Sequence, residues 1–222
     1  MSSKETAVQY DILRPFGPHI GRFSIPEKIV NQLNAFTEAV AKDAREVEKF
    51  DHSGYLAGEV TQEFQVSRDI VEGELGHYLM NITSAYVGGA TGKKVTRFKI
   101  TGCWIVRSFA GDFNPPHVHS AHVSGAGYLL VPPQIGQPEG SRKGRLSAGN
   151  INFLYSSDQF LSTGHVEMRP EAGQMFLFPH YLLHSVNPFF GEGERRSFSF
   201  NALVDDQIFD VYAYGSGPVV FS

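Results

Sequence analysis

The sequence predicts a mainly β protein, an antiparallel sandwich or barrel such as a jelly roll, with helices packed on the outside. From Val95 onward, short runs of alternating polar and apolar residues are separated by turns rich in Gly, Pro, Asn and Ser. The 18 Phe and 9 Tyr fit many short strands, and the 23 Gly and 12 Pro fit tight turns. We expect one domain, 1–222, with a helical N-terminal support over 1–94 and a jelly-roll core over 95–213.

Two helices are predicted before the strands begin. Ser24–Glu27 has the form of a capping box with Ser24 as N-cap, so a helix should follow and end near Phe50. Its apolar residues recur at steps of three and four and form one stripe: Ile29, Val30, Leu33, Phe36, Val40 and Val47. A second helix should begin near Ser67 or Asp69, run over 67–87 and end at Gly88-Gly89.

The strand-like runs are closely spaced and have no helical pattern between them. Segment 132–147 is rich in Gly, Pro and charge, and we interpret it as a long mobile loop that, with 155–164, shapes the mouth of a pocket. The predicted strands lie around 95–100, 104–109, 117–122, 125–131, 150–155, 165–168, 174–178, 184–187, 197–203 and 209–213.

Composition limits the function classes. A formal net charge of −4 indicates no basic face, so nucleic acid is not an expected partner. No apolar run approaches the roughly 18 residues that a membrane helix needs. The single Cys103 excludes an internal disulfide framework and a cysteine-rich zinc site. The N-terminus is polar, without the apolar core of a signal peptide, so we expect a cytoplasmic protein that does not contact membranes.

Two histidines after a pair of prolines are the strongest local signal. His117 and His119 lie two residues apart in Gly111–Leu130. In an extended segment, residues i and i+2 project from the same face, so both imidazoles would face the same way. Imidazole is the commonest metal ligand in proteins, and the pair therefore forms half of a metal site. A third ligand must come from elsewhere in the chain.

A late histidine and an arginine-containing strand extend this site. His184 begins a strand far along the chain, where a jelly roll could bring it to the first pair. In the next strand, one face carries Arg195, Ser197, Ser199 and Asn201. A buried guanidinium is costly unless it holds an anion, and a dicarboxylic cosubstrate would satisfy it. The alternative for Arg195 is a surface ion pair with Glu192 or Glu194.

With these residues in place, the sequence resembles a known family. The motifs NPPHVH, SGAGYL, RPEAGQMFLFPHYLLHSVNP and RRSFSFN resemble, over about 95–205, those of iron(II)/2-oxoglutarate oxygenases of the prolyl-hydroxylase-like group. The resemblance implies a double-stranded β-helix (cupin-like jelly roll) and a dioxygenase that hydroxylates its substrate and releases succinate and CO2. It also implies that Arg195 and Ser197 bind the distal carboxylate of 2-oxoglutarate, with Tyr128 as a further contact. Its implied iron ligands are His117, His119 and His184.

One position departs from the family pattern. The usual first motif is HxD or HxE, which gives the iron two histidines and a carboxylate. Here the carboxylate position is His119, so either three histidines bind the metal or a carboxylate comes from elsewhere. Asp112 and Asp158 are the nearest candidates, and neither has the right spacing. We favour the three-histidine site.

Other candidates rank lower. We interpret His122 as structural or rim-lining and His180 as part of the cleft rim. Arg196 is the second choice for the arginine that binds the cosubstrate. Asn114 and Asn201 are weaker candidates of the same kind, while Trp104 and the phenylalanines are expected in the core.

Two other functions fit part of the pattern. Gly111 to His119 and Gly173 to Pro179 match parts of the two cupin motifs, which allows a three-histidine metalloenzyme that does not use 2-oxoglutarate. The glutamate that follows HxH in cupins is missing, however, and the glycine after Pro179 is replaced. A non-catalytic jelly-roll binding protein is the third reading. The partners expected for the dioxygenase are a small-molecule or peptide substrate and O2. A homodimer is the assembly considered.

Overall fold

The computed structural model describes residues 17–55 and 57–210. Its strands are β1 (Gly21–Ser24), β2 (Gln62–Gln65), β3 (Phe98–Ser108), β4 (Asn114–His117), β5 (Val123–Leu130), β6 (Ile151–Leu154), β7 (His165–Met168), β8 (Gln174–Pro179), β9 (Leu183–Val186) and β10 (Arg195–Val204). Its helices are α1 (Glu27–Ala41), α2 (Ala44–Phe50), α3 (Arg68–Val71), α4 (Glu74–Thr91) and α5 (Asp206–Phe209). None of these helices is long and apolar enough to cross a membrane.

Two antiparallel sheets form the β core. The larger sheet has the order β1-β8-β5-β10-β3-β2, and the smaller has the order β4-β9-β6-β7. The mainly β, jelly-roll fold predicted from the sequence is confirmed. The N-terminal third is not only helical, because it also supplies β1 and β2 to the large sheet.

The large sheet separates an apolar core from the interior between the sheets. On its outer side, Phe198 and Phe200 of β10 are fully buried and belong to one cluster with residues of α1 and α4 such as Leu33 and Leu79. Each such side chain contributes on the order of 1.5–3 kcal/mol by leaving water. Gly127 of β5 has no side chain here, and a Cβ there would come within 2.5 Å of the Phe198 ring. The helices therefore cover the sheet, as predicted.

The first predicted helix differs from the prediction in two ways. It breaks after Ala41, and the side chain of Asp43 caps α2 by accepting the backbone N–H of Arg45 at 2.9 Å. The capping box is wrong, because Ser24 ends β1 and Pro26 occupies the N-cap of α1. Ile25 precedes a proline, which favours extended backbone, and its N–H donates to the Gly173 carbonyl at 2.7 Å.

The second predicted helix also divides. Gly73 is the N-cap of α4 and separates it from α3. The predicted end at Gly88-Gly89 is wrong, since both residues lie inside α4. Gly92 ends α4 instead, with φ of 70°, the left-handed backbone that glycine adopts without a steric penalty.

Most predicted strands are present, but the strand predicted around 117–122 is wrong, because β4 ends at His117 and β5 begins only at Val123. The first two predicted runs are one continuous strand, β3. Phe209 lies in α5, so a strand over 209–213 is wrong at its first residue, while 211–213 lie outside the described residues. Loop 132–147 is anchored, because Ile135 is fully buried against Phe189.

Candidate active site

A cavity of about 180 Å³ lies between the two sheets. Alternation along the large sheet directs one face of β3, β5 and β10 into this cavity. Residues that line it include Trp104, Val106, Tyr128, Arg195, Ser197 and Ser199. The small sheet contributes His117 and His184 from the opposite side, with His119 beside them. All six site residues predicted from the sequence therefore line the same cavity.

A bulge in β4 determines the position of the first histidine. Asn114 pairs with Val186 and His117 pairs with His184, so three steps on β4 match two on β9. The extra residue falls at the two prolines, which have no N–H to donate to the ladder. The bulge places His117 directly opposite His184. His119 follows the end of β4, and its backbone N–H donates to the His180 carbonyl at 3.0 Å.

The three histidines form a compact cluster. One ring nitrogen from each of His117, His119 and His184 lies within 4.8 Å of the other two. The Nε2 atoms of His119 and His184 are 3.1 Å apart. This spacing is suited to three nitrogen ligands around a single ion, each roughly 2 Å from it. The cluster could therefore hold a metal ion.

Hydrogen bonds and burial prepare these rings as ligands. Nδ1 of His117 lies 2.8 Å from the Pro115 carbonyl oxygen, and Nδ1 of His184 lies 2.9 Å from that of Leu182. A carbonyl only accepts, so in the neutral tautomer each Nδ1 carries the proton and each Nε2 has the lone pair that a metal needs. Burial, reinforced by neighbouring histidines, lowers the pKa of His119 to about 3 and that of His184 to about 4. Both rings are therefore neutral near pH 7, which fits a divalent metal.

Among the described residues, no carboxylate joins the histidine cluster. Asp112 accepts hydrogen bonds from Thr61 and from the backbone N–H of Phe109. Asp158 accepts from the backbone N–H groups of Gly164 and His165. Both aspartates thus stabilise loops, and the candidate metal ligands among the described residues are histidines only.

Arg195 is a buried cation without an acidic partner among the described residues. Its side chain is 2% exposed and donates to Ser108 Oγ at 3.1 Å and to the carbonyls of Gly149 and Asn187 at 3.2 and 3.3 Å. Burial lowers the pKa of its guanidinium from the usual high value. The surface ion pair with Glu194 is not formed by Arg195. A buried charge without a counter-ion is costly, so this arrangement favours an anionic ligand.

Arg196 projects from the opposite face of β10. Its guanidinium contacts Glu194 and Glu38, each at 2.6 Å, and also Asn34. Glu194 additionally pairs with Arg107 at 2.8 Å, and these cations lower the pKa of Glu194 to about 2. The guanidinium nitrogens of Arg196 that make these contacts lie outside the cavity. Arg196 is therefore not available as a substitute for Arg195.

Ser197 and Tyr128 lie beside Arg195. They are cross-strand partners on β10 and β5, and both line the cavity. Burial raises the pKa of Tyr128 to about 12, so its hydroxyl remains protonated and can donate a hydrogen bond. The cavity thus combines a cation, a serine hydroxyl and a phenol close together, a group of donors suited to a carboxylate.

The lower-ranked candidates divide between the cavity and its surroundings. His122 Nδ1 accepts the backbone N–H of Val204 at 3.2 Å, and its ring stacks on Phe209, so it is structural. Asn201 accepts a hydrogen bond from Ser124, whereas Asn114 lines the cavity. The cavity lining includes no described residue of 132–147 or 155–164, so the expectation that these loops shape its mouth is wrong.

Sequence reasoning missed several residues of the cavity wall, among them Trp104 and Glu63. Trp104 was expected in the core, but it lines the cavity with its ring centroid 5.9 Å from that of His119. The alternation of Trp104 and Val106 on β3 could have shown this. Glu63 is also in the wall, and it was missed because β2 was not predicted.

Comparison with known proteins agrees with this fold. Residues 102–201 match the family described as "Putative 2OG-Fe(II) oxygenase", and this segment contains the three histidines, Arg195 and Tyr128. The resemblance predicted from the sequence is therefore confirmed over residues 102–201. The cofactor and cosubstrate of this family are iron(II) and 2-oxoglutarate. No curated protein matches the sequence.

Solved structures share the fold at low sequence identity. A prolyl-4-hydroxylase from Pseudomonas putida is 18% identical, with 82% of this chain and 90% of that chain covered and a TM-score of 0.54. The viral collagen prolyl hydroxylase of Paramecium Bursaria Chlorella virus-1, in complex with 2-oxoglutarate, is 13% identical, covers 82% and 94%, and scores 0.53. SnoK, a non-heme alpha-ketoglutarate-dependent carbocyclase from nogalamycin biosynthesis, is 12% identical, covers 84% and 79%, and scores 0.53.

Proposed function

We propose that the protein is an iron(II)- and 2-oxoglutarate-dependent dioxygenase that hydroxylates a small-molecule or peptide substrate and releases succinate and CO2. The observation that carries this proposal is the position of Arg195, a buried guanidinium without a carboxylate partner among the described residues, in the cavity that holds the three-histidine cluster. A metal site alone would not require this cation. A metal site that also binds a dicarboxylate requires a cation to pair with the carboxylate.

Each side chain has a role that follows from its position. His117, His119 and His184 would hold iron through their Nε2 atoms. When bound, iron supplies the redox chemistry by which O2 oxidises 2-oxoglutarate and the substrate. Arg195 and Ser197 would bind the distal carboxylate of 2-oxoglutarate, and the Tyr128 hydroxyl would donate a hydrogen bond to the same cosubstrate. Trp104 and Phe178 form an apolar part of the cavity wall, which limits the access of water.

Peptides and small molecules are the two substrate classes proposed. Two of the structural relatives are prolyl hydroxylases and the third is a carbocyclase, so this fold accommodates both substrate types. We further propose a cytoplasmic location, since the free Cys103 is compatible with a reducing compartment. A homodimer is the assembly proposed, and nucleic acid and membranes are not proposed as partners, in keeping with the net charge of −4.

The test is direct. Anaerobically purified protein supplied with iron(II) should bind 2-oxoglutarate, and admission of O2 should yield succinate. His117→Ala should abolish both. Intact protein that binds neither iron(II) nor 2-oxoglutarate refutes the proposal. Metal-dependent turnover that is independent of 2-oxoglutarate and unaffected by Arg195→Ala would instead favour the cupin-like metalloenzyme. Ligand binding without O2 consumption would favour the non-catalytic binding protein.

A further inference from the structure

A buried carboxyl group in the cavity has no role in the functions assigned above. Glu63 lies on β2, the edge strand of the large sheet, and pairs with Val106 of β3. Both residues line the cavity, on the same face as Trp104. Glu63 is 1% exposed, and neither of its carboxylate oxygens has a hydrogen-bond partner among the described residues.

An unpaired buried carboxyl is unusual because it forfeits hydration without compensation, at a cost of several kcal/mol if it is ionised. Burial and the nearby Asp51 raise the pKa of Glu63 to about 7. The structure therefore keeps an acid in the cavity wall, next to a second acid, and no cation among residues 17–55 and 57–210 pairs with it. A ligand with N–H donors would satisfy it.

The space beside Glu63 is shaped by a glycine. A Cβ on Gly58 would lie 2.9 Å from Glu63 Oε1 and 2.6 Å from Asn114 Nδ2. Gly58 therefore brings the carboxyl and the amide to the same corner of the cavity without a side chain between them. Glu63 and Asn114 together present hydrogen-bonding groups to whatever enters this corner, which we call the acidic corner (Gly58, Glu63 and Asn114).

Glu63 is not an additional metal ligand in this arrangement. No carboxylate of the described residues lies within 4.8 Å of the ligand atoms of all three histidines. The acidic corner is also separate from the cosubstrate seat. Arg195 donates hydrogen bonds to Ser108, Gly149 and Asn187. The charges that act on its pKa are those of Tyr128 and Asp112, and it makes no contact with Glu63.

We propose that the acidic corner is the recognition site for the primary substrate and that this substrate carries a protonated amine, held by the Glu63 carboxylate. This inference rests on the proposed oxygenase function. The ammonium group would donate to the Glu63 carboxylate, and the carbon to be hydroxylated would lie toward the histidines. Since the cavity is smaller than the roughly 300–1,000 Å³ of drug-sized sites, the group that enters must be slim.

Calorimetry with three small probes tests this inference. n-Butylamine, n-butanol and butyrate are titrated at millimolar concentrations into anaerobic protein loaded with iron(II) and 2-oxoglutarate, and also into unloaded protein. We expect the amine to bind at least tenfold more tightly than the alcohol and butyrate to bind worst. Glu63→Gln, which keeps shape but not charge, should reduce amine affinity at least tenfold and leave alcohol affinity unchanged.

Two further variants separate recognition from folding. Glu59→Gln makes the same charge change on an exposed residue of the same segment and should leave amine affinity unchanged. Gly58→Ala should fill the acidic corner and weaken both amine and alcohol. The inference is overturned if the wild type does not bind the amine, if it binds amine and alcohol equally, or if Glu63→Gln retains the amine affinity.

The 2-oxoglutarate titration is performed first on every variant. Glu63→Gln should bind 2-oxoglutarate like the wild type, because the acidic corner and the cosubstrate seat share no side chain. If the wild type fails to bind iron(II) or 2-oxoglutarate, the proposed function fails, and the amine preference is still measured on unloaded protein. If loading is normal and the amine preference is absent, only the substrate inference fails.

Discussion

Replacing Arg195 by methionine is expected to remove 2-oxoglutarate binding while the fold persists. A guanidinium can offer a carboxylate two charge-assisted hydrogen bonds, each worth about 1.5–3 kcal/mol. Their loss corresponds to a rise in Kd of about 10²- to 10⁴-fold, at about 1.4 kcal/mol per factor of ten. Methionine has a similar length and no charge, so it also removes the cost of burying an unpaired cation.

Arg196→Met is the matched control, since Arg196 is the next residue on the same strand and projects from the other face. It loses the contacts with Glu38 and Glu194. Glu194 keeps Arg107, so the free energy of unfolding should fall by about 1–3 kcal/mol, with 2-oxoglutarate affinity unchanged.

Both variants and the wild type are titrated with 2-oxoglutarate in the presence of iron(II) under nitrogen, and their unfolding is followed in urea. The two variants should each lose a different property. Arg195→Met should lose affinity for 2-oxoglutarate, and Arg196→Met should lose stability. An Arg195→Met protein that binds 2-oxoglutarate within threefold of the wild type would refute the assignment of the cosubstrate seat. Equal losses of affinity in the two variants would do the same.

Three other predictions concern the metal, pH and packing. His184→Ala should lose stoichiometric iron(II), whereas His180→Ala should keep it, as measured by metal analysis after desalting; equal retention would contradict the cluster. As pH rises from about 4.5 to 7, Glu63 loses its proton in the unfolded chain before it does in the folded one, where its pKa is about 7. The wild type should thus lose up to about 3 kcal/mol of unfolding free energy relative to Glu63→Gln across this range in urea titrations, and parallel curves would disprove it. Gly127→Ala should lower the free energy of unfolding by about 1–3 kcal/mol because its Cβ meets the Phe198 ring, and an unchanged denaturation midpoint would show that the core relaxes at no cost.

Local pattern predicted those parts of the site that depend on one strand at a time. Alternation in RRSFSFN places Arg195 and Ser197 toward the cavity and Phe198 and Phe200 in the core, as the structure has them. The period of two is a property of extended backbone and does not depend on which strands are neighbours.

Features that depend on pairing were not predictable in the same way. The bulge at Pro115-Pro116 is defined by the register with β9, and no local pattern carries that register. Glu63 was missed because β2 has only four residues, QEFQ, without a distinct alternation. The helix breaks at Asp43 and Gly73 show that an apolar stripe continues across a cap, so periodicity alone does not locate helix ends.

The order of strands in the large sheet has a consequence for how this protein can change. Arg195 and Ser197 lie on β10, which has neighbours on both sides, so a slip by one residue would turn Phe198 and Phe200 into the cavity and is strongly opposed. Glu63 lies on β2, the last strand of the sheet, which has one neighbouring strand and, on its other side, only an isolated bridge between Phe64 and Asp51. Mutations can therefore alter substrate preference at the edge while the cosubstrate seat stays intact, and a library for new substrates should be directed at β2 and the segment that contains Gly58.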